Sequence, residues 1–305
     1  MKTVAGARGA PGRHDAGGRS EAAVTGTSIR VWVDGELVEP LGPAVSALDH
    51  AVTVGDGVFE TAKIVDGEPF ALTRHHRRLE HSAAGLGLPA PDLAFVDKGV
   101  AAVLEGEPIA FGRLRYSVTG GVGPLGSDRH EASLTTIVLA APQARPPASG
   151  RLTVVPWTRN ERSAVVGLKT TSYAENVVAL ARAKQVGAIE AVFANTRGEL
   201  CECTGSNVFV VVDGVVLTPP ADSGLLPGIT RGLVIEWGRA AGVDVREQAL
   251  PLDVLTTADE VFITSTTKDV LPIDSVDDHD LPAERPVTTA LQEIFRSNAE
   301  RDSDP

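Results

Sequence analysis

The residues that could do chemistry fall in a definite order along the 305-residue chain. Lysine is scarce, occurring only at Lys2, Lys63, Lys98, Lys169, Lys184 and Lys268. Lys169 stands out because it follows the apolar run VVGL and precedes a hydroxyl-rich turn, TTS, that leads into a helical stretch. Desolvation there would lower the amine's pKa and free it to act as a nucleophile or Schiff-base former. Taken alone, a strand-end lysine snorkelling to solvent is the plainer account. Glu202 lies between Cys201 and Cys203. An acid among residues that favour the interior implies a cation or strong donor nearby, unless it is simply the outward position of an alternating strand. In SGLLPGITR, residues 223–231, a glycine loop runs into a helix with Thr230 placed to cap it. Such a helix start offers free N–H groups to a phosphate, although Gly and Pro before a helix are also ordinary punctuation. Ser265, Thr266 and Thr267 add hydroxyls at a strand end, and Arg78 in RHHRRLEHSA could supply neutralising charge.

Other constellations carry less. His75, His76 and His81 share one short basic helix without the further ligands of a metal pattern, and read as a solvated face. TGGVGPLG is glycine-rich but lacks the G-x-G-x-x-G spacing of a dinucleotide site. Cys201 and Cys203 are too few and too close for a disulfide framework or a complete metal site, so no metal is expected.

These groups need a scaffold, and the turn residues outline one. Residues 29–33 and 36–38 flank Asp34-Gly35, and residues 58–65 and 69–72 flank Asp66-Gly67. Asp-Gly tolerates the positive φ of tight hairpins, so both read as strand pairs. Residues 74–86 carry Leu79, Ala83 and Leu86 at helical spacing. Strands are expected at 113–119 and 134–141. PQARPPASG, 142–150, reads as a linker, since prolines and small polar residues support neither a ladder nor a helix interior. Beyond it come a strand at 152–156, a helix at 175–185, a strand at 188–194 and a meander over 199–203, 207–212 and 215–218. A helix at 231–241 stopped by Gly242 and a buried strand at 261–264 complete the set. Strands joined by tight turns, with few helices, indicate an α+β fold. The expected division is a disordered tail over 1–27, a small domain over 28–141, the linker 142–150, a large domain over 151–298 and a tail over 299–305.

Net charge is −12, from 28 basic and 40 acidic residues. That opposes binding to a nucleic-acid backbone, while local arginines still permit a small anionic substrate. No apolar run approaches the ~18 residues of a membrane span. The N-terminal stretch lacks the apolar segment of a secretory signal, so a cytoplasmic location is expected.

Lysine, a carboxylate about thirty residues on, a phosphate-cradling helix start about thirty further and then a Ser/Thr run make an ordered set. That order resembles the class IV (fold type IV) pyridoxal-phosphate enzymes: branched-chain aminotransferases, D-amino-acid aminotransferases and 4-amino-4-deoxychorismate lyases. The resemblance covers residues 29–295. It rests on VGDGVFETAKIVDGEPFALTRHHRRL, LKTTSYAENVVALARAK, GELCECTGSNVFVVVDGVVLTPP, GLLPGITR and ADEVFITSTTKDVLPI. It implies pyridoxal 5'-phosphate as cofactor, a small N-terminal domain, a larger pseudo-barrel domain, and a homodimer whose loops close each other's sites. It further implies that Lys169 holds the cofactor covalently and later moves a proton at the substrate carbon. Glu202 would pair with the pyridine nitrogen. Arg78, the N–H groups of Ile229 and Thr230 next to Gly228, the Thr230 hydroxyl and Thr266 would bind the phosphate. Leu226 would pack on the ring. Tyr173 would reach the ring hydroxyl, although in branched-chain members the tyrosine stands one place further from the lysine.

The shared cofactor residues do not choose the reaction. Aligned with the D-amino-acid aminotransferases, the loop SVTGGVGPLG puts Leu125 where those enzymes, and often the lyases, carry a carboxylate-binding arginine. Arg113, Arg115 and Arg129 are the available substitutes, with Thr61 and Thr267 as further substrate contacts. VGDGVFETA and LDHAVTVGDG are closer to the lyase and D-amino-acid branch, and KTTSYAENVVALA resembles actinobacterial lyases. The expected activity is therefore 4-amino-4-deoxychorismate lyase. The alternative is an aminotransferase for branched-chain or D-amino acids with 2-oxoglutarate. A non-catalytic relative is disfavoured by the presence of both Lys169 and Glu202.

Overall fold

The computed structural model describes residues 29–131 and 133–305, so the tail expected over 1–27 lies outside the described residues. The Asp-Gly pairs at 34–35, 66–67 and 213–214 all have positive φ at both positions, the requirement of a two-residue hairpin turn. The first closes β1 (Arg30–Val33) on β2 (Glu36–Val38). After the short α1 (His50–Thr53), the second closes β3 (Gly57–Val65) on β4 (Glu68–Pro69). The expected second strand over 69–72 is cut short, because α2 (Leu72–Leu86) starts there from Ala71 in the left-handed region at φ 57°. A helix that was not expected, α3 (Leu93–Leu104), follows, capped by Asp92. With β5 (Phe111–Thr119) and β6 (Thr135–Pro142) these strands form an antiparallel sheet in the order β2-β1-β6-β5-β3-β4. Val58, Ala62 and Ile64 of β3 pack with Leu79, Val96 and Leu114 under α2 and α3. The strand's period of two turns Phe59, Thr61 and Lys63 to the other face.

Residues 143–149 lead into the second sheet. Its elements are β7 (Gly150–Arg159), α4 (Ala174–Gln185), β8 (Glu190–Asn195), β9 (Leu200–Cys203), β10 (Asn207–Val212), β11 (Val215–Thr218), α5 (Ile229–Ala240), β12 (Val245–Glu247), β13 (Glu260–Ser265), β14 (Asp269–Val276), β15 (His279–Asp280) and α6 (Pro286–Arg301). The order is β12-β11-β10-β13-β14-β7-β8-β9, with β15 paired to β14. The ends of this sheet approach each other, Leu200 N donating to Leu250 O at 2.8 Å, so the sheet curls around Val192, Val208, Ile263 and Leu271. Its outer face carries α5 and α6 on Phe209, Phe262, Leu233 and Phe295. The result is an α+β fold. Among the described residues no helix is long and apolar enough to cross a membrane.

The expected tail over 299–305 is ordered instead. Helix α6 runs to Arg301, and the residues after it dock on the start of α2. Ala71 N donates to Ser303 O at 2.7 Å, and Thr73 N donates to the Asp304 carboxylate at 2.8 Å. Helix α2 has no side-chain cap of its own, so Asp304 satisfies an N–H that its helix leaves unpaired.

Candidate active site

A cavity of about 610 Å³ lies between the two sheets. Lys169 enters it from a segment bonded to β3, where Phe59 N donates to Lys169 O at 2.9 Å, and Lys169 N donates to Ser82 Oγ at 3.1 Å. The amine lies 4.4 Å from the Phe59 ring centroid and 5.7 Å from that of Tyr173. Burial, and then the Arg78 guanidinium, push its pKa down to about 8, while Glu60 and Glu202 pull the other way. A neutral amine is thus accessible near physiological pH.

Arg78 is fixed by a residue that sequence reasoning missed. The fully buried Glu60 receives Arg78 Nε and Nη2, each at 2.8 Å, and His75 Nδ1 at 2.6 Å. Burial alone would raise the Glu60 carboxyl, but Arg78 and His75 outweigh it and hold it well below the usual carboxylate range. The signal was present: Val58, Glu60, Ala62 and Ile64 share a strand face, so a lone acid among apolar neighbours required a cation. The expected solvated face of histidines is therefore corrected. His75 and His76 are buried against the sheet, and only His81 is exposed.

The remaining Arg78 nitrogen, Nη1, donates to Pro227 O at 3.1 Å, beside the start of α5. Helix α5 opens at Ile229 with Gly228 as its N-cap, so Thr230 belongs to the first turn rather than capping it. A Cβ at position 228 would stand 2.0 Å from Asn207 Oδ1, and Asn207 Nδ2 in turn holds Leu226 O at 2.9 Å. No side chain caps this helix, which leaves the Ile229 and Thr230 N–H groups facing the cavity as an anion cradle.

Glu202 stands at the opposite end on β9, while Cys201 and Cys203 are buried. Its carboxylate accepts from Leu226 N at 2.9 Å and lies 3.2 Å from Arg159 Nε. Arg159, also missed from sequence, stacks 4.0 Å above the Phe193 ring. Burial raises Glu202 above the ordinary carboxyl value despite Arg159, so a further cation would be welcome there. Tyr173 is edge-on to Phe59 at 5.3 Å, and burial raises its phenol.

All the candidate residues except Arg129 border this one cavity. Arg129 is corrected as a substrate contact: its guanidinium is bound by Asp56 and by the carbonyls of Leu86 and Gly87 at 2.9 and 2.8 Å, so it anchors a loop. Leu125, in the same loop region, is exposed.

An amine of lowered pKa, an uncapped helix start beside an arginine, and a half-buried carboxyl across the cavity from it suit an aldehyde, a phosphate and a ring nitrogen. The donor set fits pyridoxal 5'-phosphate, which would be held by Lys169, Arg78, α5 and Glu202. Residues 57–276 match the family model described as amino-transferase class IV. The chain belongs to the class IV aminotransferase family. A putative branched-chain-amino-acid aminotransferase of Methanocaldococcus jannaschii is 33% identical over 88% of this chain and 96% of its own length. A D-alanine aminotransferase of Bacillus licheniformis is 33% identical over 88% and 98%, and an aminodeoxychorismate lyase of Bacillus subtilis is 27% identical over 87% and 93%. The solved structure of a hypothetical aminotransferase from Mycobacterium tuberculosis, in its PLP-bound form, superposes with a TM-score of 0.78 at 27% identity, covering 91% and 100%. The class IV family is PLP-dependent, so this chain is a PLP-dependent enzyme of fold type IV.

Proposed function

We propose that this class IV enzyme is a 4-amino-4-deoxychorismate lyase, releasing pyruvate and 4-aminobenzoate from a substrate that carries two carboxylates. The observation behind the reading is the pair Arg113 and Arg115. They stand two apart on β5, in register with Lys63 and Thr61 of β3, and both border the cavity. Arg115 is half-buried and Arg113 exposed, partial desolvation lowers both guanidinium pKa values, and neither has a carboxylate partner among the described residues. Arg115 lies 3.7 Å above the Phe59 ring over which Lys169 also stands. Unpaired guanidiniums at a cavity wall favour a ligand that brings carboxylates.

Bound cofactor supplies an electron sink for the substrate nitrogen. Arg113 and Arg115 orient the two carboxylates. Lys169 then takes the proton from the ring carbon bearing that nitrogen. The electron pair left behind completes the aromatic ring as the bond from ring carbon to the enolpyruvyl oxygen breaks. The Thr61 hydroxyl, on the same wall, hydrogen-bonds the departing oxygen.

A second reading is an aminotransferase with a dicarboxylic partner such as 2-oxoglutarate, favoured by the names of the relatives at 33% identity. One assay separates the two: aminodeoxychorismate alone, and an amino-acid panel with 2-oxoglutarate. Pyruvate with 4-aminobenzoate supports the lyase, and glutamate formation alone replaces it with the transaminase. A homodimer accompanies either reading, supported by exposed apolar side chains at Leu41, Val52, Leu125 and Val177. Sedimentation at the mass of one chain would remove it.

A further inference from the structure

The tight turn between β13 and β14 carries Thr266 and Thr267 into the cavity and is gripped from two directions. On one side the Lys268 amine is ion-paired with Glu190 of β8. Glu190 is 3% exposed and also accepts from Thr204 Oγ1 at 3.0 Å, Gly205 N at 2.7 Å and Ser206 Oγ at 2.5 Å. On the other side Lys63 of β3 donates to both oxygens of Asp269, at 2.6 and 2.8 Å. Lys63 is 5% exposed and stands over the Phe70 ring at 4.5 Å. Asp269 itself has φ +52°, a left-handed conformation that a non-glycine residue adopts only when its surroundings hold it there.

We propose that Lys268 and Lys63 are positioning residues, whose ion pairs hold the 265–269 turn between β8 of its own sheet and β3 of the other and so fix the Thr266 and Thr267 hydroxyls relative to the start of α5. The inference rests on the reading of this cavity as the cofactor and substrate site. Three features support it. Glu190 and Asp269 both belong to the second sheet, whereas Lys63 lies on β3 of the first, so the Lys63–Asp269 pair ties the turn across to the other sheet while Lys268–Glu190 ties it to β8 of its own. Glu190 ties the same turn to Thr204, Gly205 and Ser206, which also border the cavity. Each lysine neutralises the carboxylate it pairs with, and among the described residues Arg113 and Arg115 are left without a carboxylate partner.

The test measures affinity of the cofactor-free protein for pyridoxal 5'-phosphate by fluorescence, with urea unfolding alongside, in Lys268→Met, Lys268→Arg, Asp269→Asn, Thr266→Val and the double variant Lys268→Met/Thr266→Val. Thr266→Val should weaken cofactor binding roughly tenfold by removing a charge-assisted hydrogen bond. Lys268→Met and Asp269→Asn should do the same, and Lys268→Arg should restore most of the loss. The double variant should be no weaker than the poorer single variant, since the lysine acts through the hydroxyl. Native affinity in Lys268→Met and Asp269→Asn, with Thr266→Val impaired, overturns the clamp while sparing the site. Native affinity in Thr266→Val overturns the phosphate assignment on which the clamp rests. Additive losses in the double variant, or a stability loss without an affinity change, reduce both ion pairs to scaffolding and also overturn the proposal. Should Lys268→Met fail to fold, Asp269→Asn carries the same decision.

Discussion

An amine must be neutral to attack a carbonyl, so the rate at which cofactor-free enzyme captures an aldehyde reports the titration of Lys169. Burial and Arg78 bring this group from its ordinary 10.5 to about 8. The difference corresponds to about 3 kcal/mol, and at pH 7 it raises the neutral fraction roughly 300-fold, from about 0.03% to about 9%. Stopped-flow mixing of the apoenzyme with pyridoxal, which lacks the phosphate and so is insensitive to the α5 cradle, should give a rate that climbs about tenfold for each pH unit and levels off above pH ~8. Arg78→Met removes the guanidinium whose positive charge, after burial, depresses the amine, and should move the midpoint upward. The same depression has a cost in folding: it is fully present below the folded pKa and fades as pH rises toward the unfolded value. Lys169→Met should therefore stabilise the apoenzyme at neutral pH and lose that advantage near pH ~10. A midpoint close to that of free lysine in the native protein, or one that ignores Arg78→Met, refutes the argument.

Four further outcomes follow from the site and its supports. Glu202→Ala should keep the cofactor bound, as seen in its visible absorbance, while turnover drops roughly 10²-fold; near-native turnover would detach Glu202 from the ring nitrogen. Gly228→Ala forces a Cβ to within 2.0 Å of Asn207 Oδ1 and should cost about 1–3 kcal/mol of cofactor affinity, measured by equilibrium dialysis. Glu60→Gln strips a buried cation of its partner and should lower unfolding free energy in urea by about 3–5 kcal/mol. Asp304→Ala deletes the cap on α2 and should cost about 1 kcal/mol in the same measurement.

Elements with local signatures were legible in the sequence. Asp-Gly at 34–35, 66–67 and 213–214 marked hairpins because few other pairs accept positive φ twice, and Gly242 marked the end of α5. Lys169, the carboxylate on β9 and the helix-start loop were readable because each is an unusual residue type for its setting. Helix α3 was missed although Asp92 announces its start; LAFVDKGVAAVL is apolar nearly all round and shows only a weak helical stripe. Residues 299–305 read as a tail because nothing local orders them; their partners lie on α2, in another part of the fold. Glu60 and Arg159 were overlooked, and His75 misread as solvated, for the same reason. Their meaning comes from cross-chain partners, and an isolated segment gives only the hint that a charge sits among apolar neighbours. Arg129 erred in the opposite direction, since its type suited substrate binding while Asp56 had already claimed it.

The clasp of Asp304 on Thr73 joins positions 231 residues apart. During synthesis the helix that carries Arg78 and His75 emerges early, yet its first turn stays uncapped until residues 303 and 304 have left the ribosome. At about 5–20 residues per second that interval is on the order of 10–50 s. The helix that carries the site's arginine therefore receives its last backbone partners from a segment made after the whole second sheet, so the clasp ties the first sheet to the second only late in synthesis.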